Sequence, residues 1–255
     1  VGSEVWRLMT RIPGETSEML ASDTTAHEAG RILGTFHQAL ADFDEPLRSV
    51  RRPVHDIDRH ISALRSALDA HAQHPARLAI ASLSRDIFVR VSRLDPLPES
   101  PLRLVHGDPK ISNVIFQDGR AVCLVDLDTI ARMPVAIELG DALRSWCNPA
   151  GEDSPESRFL IERFEAALSG YGEAAAGFLT EAEWRAVPNA TLAIALELAA
   201  RFAADALNES YFSWDRARFQ SASRHNQARA DSQLTLARDI ERQLPELNEL
   251  VMTLA

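Results

Sequence analysis

The stretch Leu104 to Asp128, LVHGDPKISNVIFQDGRAVCLVDLD, concentrates the side chains able to do chemistry. Asp108 is suited to accept a proton from a hydroxyl group. Asn113 follows five positions later with an amide oxygen, and Asp126 closes an apolar run with a second carboxylate. Phosphoryl transfer needs such a set, because the protein has to orient a nucleophile and hold magnesium against phosphates rather than form covalent bonds. Hard cations take oxygen ligands, commonly one or two carboxylates with water and phosphate completing the shell. Asn113 and Asp126 are therefore the candidate metal ligands and Asp108 the candidate base.

The elements that must position them are legible in the same stretch. Leu102 to Val105 is a short apolar run, Val114 to Phe116 reads as a strand, Asp118-Gly119 is a two-residue hairpin signal, and Ala121 to Leu127 returns as a second strand. Such a hairpin brings Asn113 and Asp126 to one end, with Asp108 in the loop before it. An Asp- and Gly-rich fragment alone would read equally well as an ordinary turn. The complete spacing favours a site.

The pattern H-G-D-x-x-x-x-N followed by D-L-D resembles the aminoglycoside phosphotransferase and choline kinase superfamily, which shares the protein-kinase-like fold. The resemblance implies an α+β, mainly helical chain, with residues 1–16 as a hinge strand at the end of a small lobe and 17–255 as the large lobe. It makes Asp108 the base, Asn113 and Asp126 the magnesium ligands, and His106 a structural residue. Lys110 would face the transferring phosphate, and Asp141 would hold the catalytic loop through hydrogen bonds. The strings HEAGRILGTFHQAL, VHDIDRHI, LVDLDT, GDALR and RFAADALNESYF are similar to the N-acetylhexosamine 1-kinase branch. That likeness implies ATP- and Mg2+-dependent phosphorylation of a sugar hydroxyl, the anomeric one included, with Asp128 and Arg229 as substrate contacts. An aminoglycoside or amino-alcohol kinase is the alternative. Lys110 is the only lysine, and no glycine-rich phosphate cover precedes the loop. The expectation is thus a large lobe without its small lobe, against which stands a non-catalytic, pseudokinase-like binding lobe.

The 255 residues are 45% hydrophobic and 25% charged, enough for a sizeable core. A formal net charge of -10 disfavours nucleic acid as a partner and leaves neutral or cationic small molecules acceptable. No apolar run reaches membrane-spanning length and the start has no secretory leader pattern, so no membrane partner is expected and the cytoplasm is the default location. Cys123 and Cys147 read as buried thiols. Composition says nothing about oligomeric state.

Apolar spacing predicts the remaining scaffold. A helix opens at a Thr25-x-x-Glu28 capping box and carries Ile32, Leu33 and Phe36; others carry Ile57 to Leu68 and Ile80 to Leu94. His37 reads as packed or surface-lying, and His55, His60, His71 and His74 are scattered too widely for a metal. Val5 to Ile12 reads as a strand, and Glu138 to Trp146 as a helix. Another helix spans Ser157 to Ser169, stopped by Gly170-Tyr-Gly172. Thr180-x-x-Glu183 caps a central helix to Leu207, with Arg201, Asp205 and Asn208 as its polar exceptions, and a last helix spans Asp215 to Gln243.

Overall fold

The computed structural model describes Trp6 and residues 8–47 and 54–254. The chain is mainly helical, with two small antiparallel sheets carrying the loop that sequence singled out. Three helices come first, α1 (Asp23–Ala39), α2 (Ile57–Ala70) and α3 (Arg77–Val91). Four short strands follow, β1 (Arg103–Val105), β2 (Val114–Gln117), β3 (Arg120–Leu124) and β4 (Ala131–Met133). Four helices close the chain, α4 (Val135–Trp146), α5 (Ile161–Ala174), α6 (Glu181–Asn208) and α7 (Ala222–Leu254).

The β2–β3 hairpin turns where expected. Asp118 and Gly119 both take positive φ, 51° and 79°, the backbone a two-residue turn of matching twist requires. β3 stops at Leu124 rather than Leu127, because Asp126 adopts a left-handed conformation (φ 64°, ψ 56°) that no strand can continue through. β1 pairs with β4, Val105 opposite Ala131. The hairpin and the β1–β4 pair thus bracket the loop of residues 106–113.

Helix α6 is the spine. It starts as expected from a capping box, Thr180 accepting the Glu183 N–H and Glu183 answering at the Thr180 N–H. It is buried on nearly every side, from Trp184 and Val187 through Leu196 to Phe202 and Leu207, so α2, α3, α4 and α7 all pack on it. Each fully buried Leu or Phe contributes about 1.5–3 kcal/mol.

Several local expectations give way to packing. Trp6 and Leu8 to Ile12 form no strand, Val5 and Arg7 lying outside the described residues. The first pairing comes at Glu15, which exchanges two backbone hydrogen bonds of 2.8 Å with Phe116 on the free edge of β2. The α1 capping box is Ser22 with Thr25; Glu28 instead accepts the Ala121 N–H at 3.0 Å and straps α1 to the hairpin. Gly170 and Gly172 lie inside α5, not after it. A Cβ on Gly170 would overlap the His27 carbonyl, and one on Gly30 the Ala167 carbonyl, so these glycines let α1 and α5 approach closely, and that contact outweighs their low helix propensity of about 1 kcal/mol. α7 begins seven residues later than expected, since Asp215 first caps its own turn through Ala217 N–H. It then runs past Gln243 and through Pro245, whose roughly 3 kcal/mol penalty is offset by burial of Leu247 and Val251. Both cysteines are free thiols, but only Cys147 is buried; Cys123 is half-exposed on β3.

Candidate active site

The loop bearing Asp108 is held from below by buried groups. Glu138, with no exposed surface, accepts the His106 N–H at 2.7 Å and the Gly107 N–H at 2.8 Å, one on each carboxylate oxygen. The His106 ring donates from Nε2 to the Val125 carbonyl at 2.8 Å, which leaves Nδ1 facing the Asp108 N–H at 3.4 Å. Trp146 Nε1 donates to the Pro109 carbonyl at 2.8 Å, and Thr129 Oγ1 to the His106 carbonyl at 3.0 Å. A short loop with so many satisfied backbone groups is preorganised, as a site aligning a nucleophile requires.

On this support Asp108 is half-buried and already engaged. Lys110 Nζ donates to its Oδ2 at 2.7 Å, and Asn113 Nδ2 donates to the same oxygen at 3.2 Å and to the Asp108 carbonyl at 2.8 Å. Burial opposes the charge on Lys110, but the Asp108 hydrogen bond and carboxylate outweigh it and raise the ammonium pKa. With its amide nitrogen so committed, Asn113 has its oxygen left as a ligand atom. The Val125 N–H donates to the Asn113 carbonyl at 2.9 Å, which brings the start of β2 beside Asp126. The exposed Asp126 carboxylate and the Asn113 amide oxygen are both hard donors of the kind a divalent cation takes.

In front of Asp108 opens a cavity of about 680 Å³, within the size range of small-molecule sites. Asp141 lines it but does not reach the loop. It pairs with Arg144 at 3.0 Å and faces His55 at 3.8 Å. Burial opposes its charge, yet Arg144 and His55 hold its pKa below the usual carboxylate value. Holding the loop is thus the work of Glu138, one turn earlier. His55 Nδ1 bonds the buried Glu197 at 3.0 Å; burial disfavours its charge, but Glu197 and Asp141 outweigh that and raise its pKa. His60 bonds the Val54 carbonyl and lies 3.8 Å from the same Glu197, while His71 meets Asn208 and His74 meets Glu209, so the four histidines do not converge on one point. His37 is buried, bonded to the Tyr171 hydroxyl at 2.9 Å. Arg229 lines the cavity from α7, whereas Asp128 is exposed on the 3-10 turn Leu127–Thr129.

A model of the phosphotransferase enzyme family matches residues 2–179. The chain belongs to that family. Its fold is similar to choline kinase from Cryptosporidium parvum Iowa II, with a TM-score of 0.59 at 15% identity over 95% of this chain and 73% of that one. It is also similar to amicoumacin kinase in complex with AMP-PNP and Ca2+, with a TM-score of 0.52 at 15% identity over 88% of this chain. Glucosamine kinase gives a TM-score of 0.51 at 20% identity over 87% of this chain. The chain spans 62% of the amicoumacin kinase and 52% of the glucosamine kinase.

Within this member of the phosphotransferase enzyme family, sequence reasoning passed over much of the cavity and the groups behind it. Glu197 and Phe202 sit on an apolar helix where nothing sets them apart from core, and Phe212 reaches the wall only because Asp205 Oδ2 accepts its N–H at 2.9 Å. Asp205 also accepts the Ser210 and Tyr211 N–H groups and the Asn226 amide. Its place as a polar exception near the end of α6 was the available signal for such a turn.

Proposed function

We propose that this chain carries the acceptor and metal side of an ATP- and Mg2+-dependent phosphotransferase acting on a hydroxyl of a small molecule, a sugar or amino sugar foremost. The observation that carries the reading is Asp108, hydrogen-bonded to Lys110 and Asn113 at the floor of a cavity of about 680 Å³. In this reading Asp108 accepts the proton of the acceptor hydroxyl as its oxygen attacks, and Lys110 turns its charge toward the transferring phosphoryl group. Asn113 and Asp126 hold the metal, which when bound supplies charge neutralisation for the nucleotide phosphates. His106 and Glu138 keep the loop in register. The division at residue 16 into a hinge and a large lobe is part of the same proposal, as is the N-acetylhexosamine 1-kinase branch.

Full-length protein assayed with Mg-ATP against neutral sugars, amino sugars and amino alcohols tests this. Asp108→Asn is expected to reduce turnover by about 10²–10⁴-fold, the usual contribution of a positioned base, while nucleotide affinity stays within about twofold. Unchanged turnover overturns the base assignment, and absence of Mg-ATP binding by the full-length protein overturns the reading as a whole.

A further inference from the structure

The cavity wall opposite Asp108 has an uneven charge balance. Four carboxylates in or behind the cavity are already held by cations. Asp108 is held by Lys110, Asp141 and Glu152 by Arg144, and Glu197 by His55. Two arginines differ. Arg201 on α6 and Arg229 on α7 both line the cavity, and neither has a carboxylate within ion-pair distance among the described residues.

Both guanidiniums are instead fixed by aromatic rings. Arg201 stands 5.5 Å from the Phe212 ring centre and 6.0 Å from that of Tyr211, while Arg229 stands 5.4 Å from Phe202. Phe202 and Phe212 pack against each other at 4.5 Å. The wall thus reads as guanidinium, ring, ring, guanidinium. Stacking on a ring orients the planar fork without using its N–H donors. Arg229 commits only Nη1, to the Ser213 carbonyl at 2.8 Å and the Asn226 amide oxygen at 3.3 Å. Arg201 makes no side-chain hydrogen bond among the described residues. Burial pushes the Arg229 guanidinium down more than the surrounding Glu152, Asp153 and Asp205 push it up.

We infer that Arg201 and Arg229 form an anion-recognising wall, which narrows the proposed sugar acceptors to those bearing a carboxylate, such as a uronic or other sugar acid, over those bearing a free amino group. The substrate carboxylate meets oriented, unspent guanidinium donors, which suit it in bidentate geometry. A cationic acceptor would meet like charge at the same wall. The two guanidiniums thus stand exposed to the cavity in a chain whose overall charge is -10. The inference rests on the acceptor reading of this cavity but not on phosphoryl transfer itself.

The test is calorimetric titration of the full chain, without nucleotide, with matched sets: glucuronate, glucose and glucosamine, then glycerate, glycerol and serinol. In at least one set the acid should bind about tenfold or more tightly than its neutral and cationic counterparts, the range expected of a charge-assisted hydrogen bond. Its affinity should fall as salt is raised. Arg201→Gln and Arg229→Gln should each remove most of the acid's preference over the neutral ligand; Arg→Lys at either position should restore part of it. Unchanged thermal melting keeps these losses from being folding defects. Acids binding no better than their counterparts in both sets, no ligand binding at all, or an acid preference indifferent to both arginines overturns the inference. Acid binding without transfer from Mg-ATP would leave it standing and sink the phosphotransfer reading instead.

Discussion

Lys110 Nζ lies 2.7 Å from Asp108 Oδ2, so the proposed base and the proposed phosphate-facing cation hold each other when no ligand is between them. Removing the cation should be felt in the chemical step rather than in acceptor binding. Lys110→Met is expected to lower kcat about a hundredfold, the scale for loss of one charge-stabilising donor, with acceptor KM within about threefold. Steady-state kinetics on the full-length protein measures both, and an unchanged kcat would reduce the pair to an ordinary surface ion pair.

Glu138 offers one oxygen to each of two loop N–H groups, that of His106 buried and that of Gly107 partly so. Glu138→Gln keeps the shape but presents a single acceptor, so one loop N–H loses its partner. Leaving a buried donor unpaired costs about 1–3 kcal/mol. Urea unfolding should show that loss, together with a lower kcat, whereas a variant as stable as the parent would mean that the loop does not depend on this carboxylate.

His55 makes stability depend on pH. Its folded pKa lies above its unfolded value, so its contribution is complete below about pH 6.5 and is lost as pH rises through the folded pKa. The stability difference between the parent and His55→Gln should therefore be larger at about pH 6 than at about pH 8.5. Urea titrations at the two values decide it. A difference that grows toward alkaline pH would mean that Glu197 and Asp141 do not favour the charged ring.

Gly170 and Gly172 make a paired control. Helix propensity alone predicts that either Gly→Ala change stabilises by up to about 1 kcal/mol. A Cβ at Gly172 meets the Trp184 ring at 3.6 Å and the Leu254 carbonyl at 3.8 Å, ordinary contacts, whereas one at Gly170 collides with the His27 carbonyl of α1. Gly170→Ala should thus destabilise by about 1–3 kcal/mol and Gly172→Ala should not. Thermal or urea melts of the two variants would show opposite signs.

What sequence could reveal was local. Asp108, Asn113 and the Asp118-Gly119 turn are linked by short spacing, and the backbone between them has few alternatives. The α6 capping box was equally readable, since Thr180 and Glu183 satisfy each other within one turn. Choosing between Glu138 and Asp141 needed the packing of α4, because both residues lie on neighbouring turns and only geometry tells which reaches the loop. The glycines of α5 were misread as a stop because their reason lies on α1. Arg201 was visible only as a polar exception, and the rings that orient it come from the segment that Asp205 folds back.

Helix α6, buried on nearly every side, carries Leu198, Arg201 and Phe202 along one wall of the cavity, while the loop opposite is anchored from α4 by Glu138 and Trp146. The wall proposed to recognise the acceptor and the loop proposed to move the proton are therefore supported by different helices. Descendants of such a scaffold can drift in what they recognise, through exchanges along a single stripe, while the residues that would move the proton stay as they are.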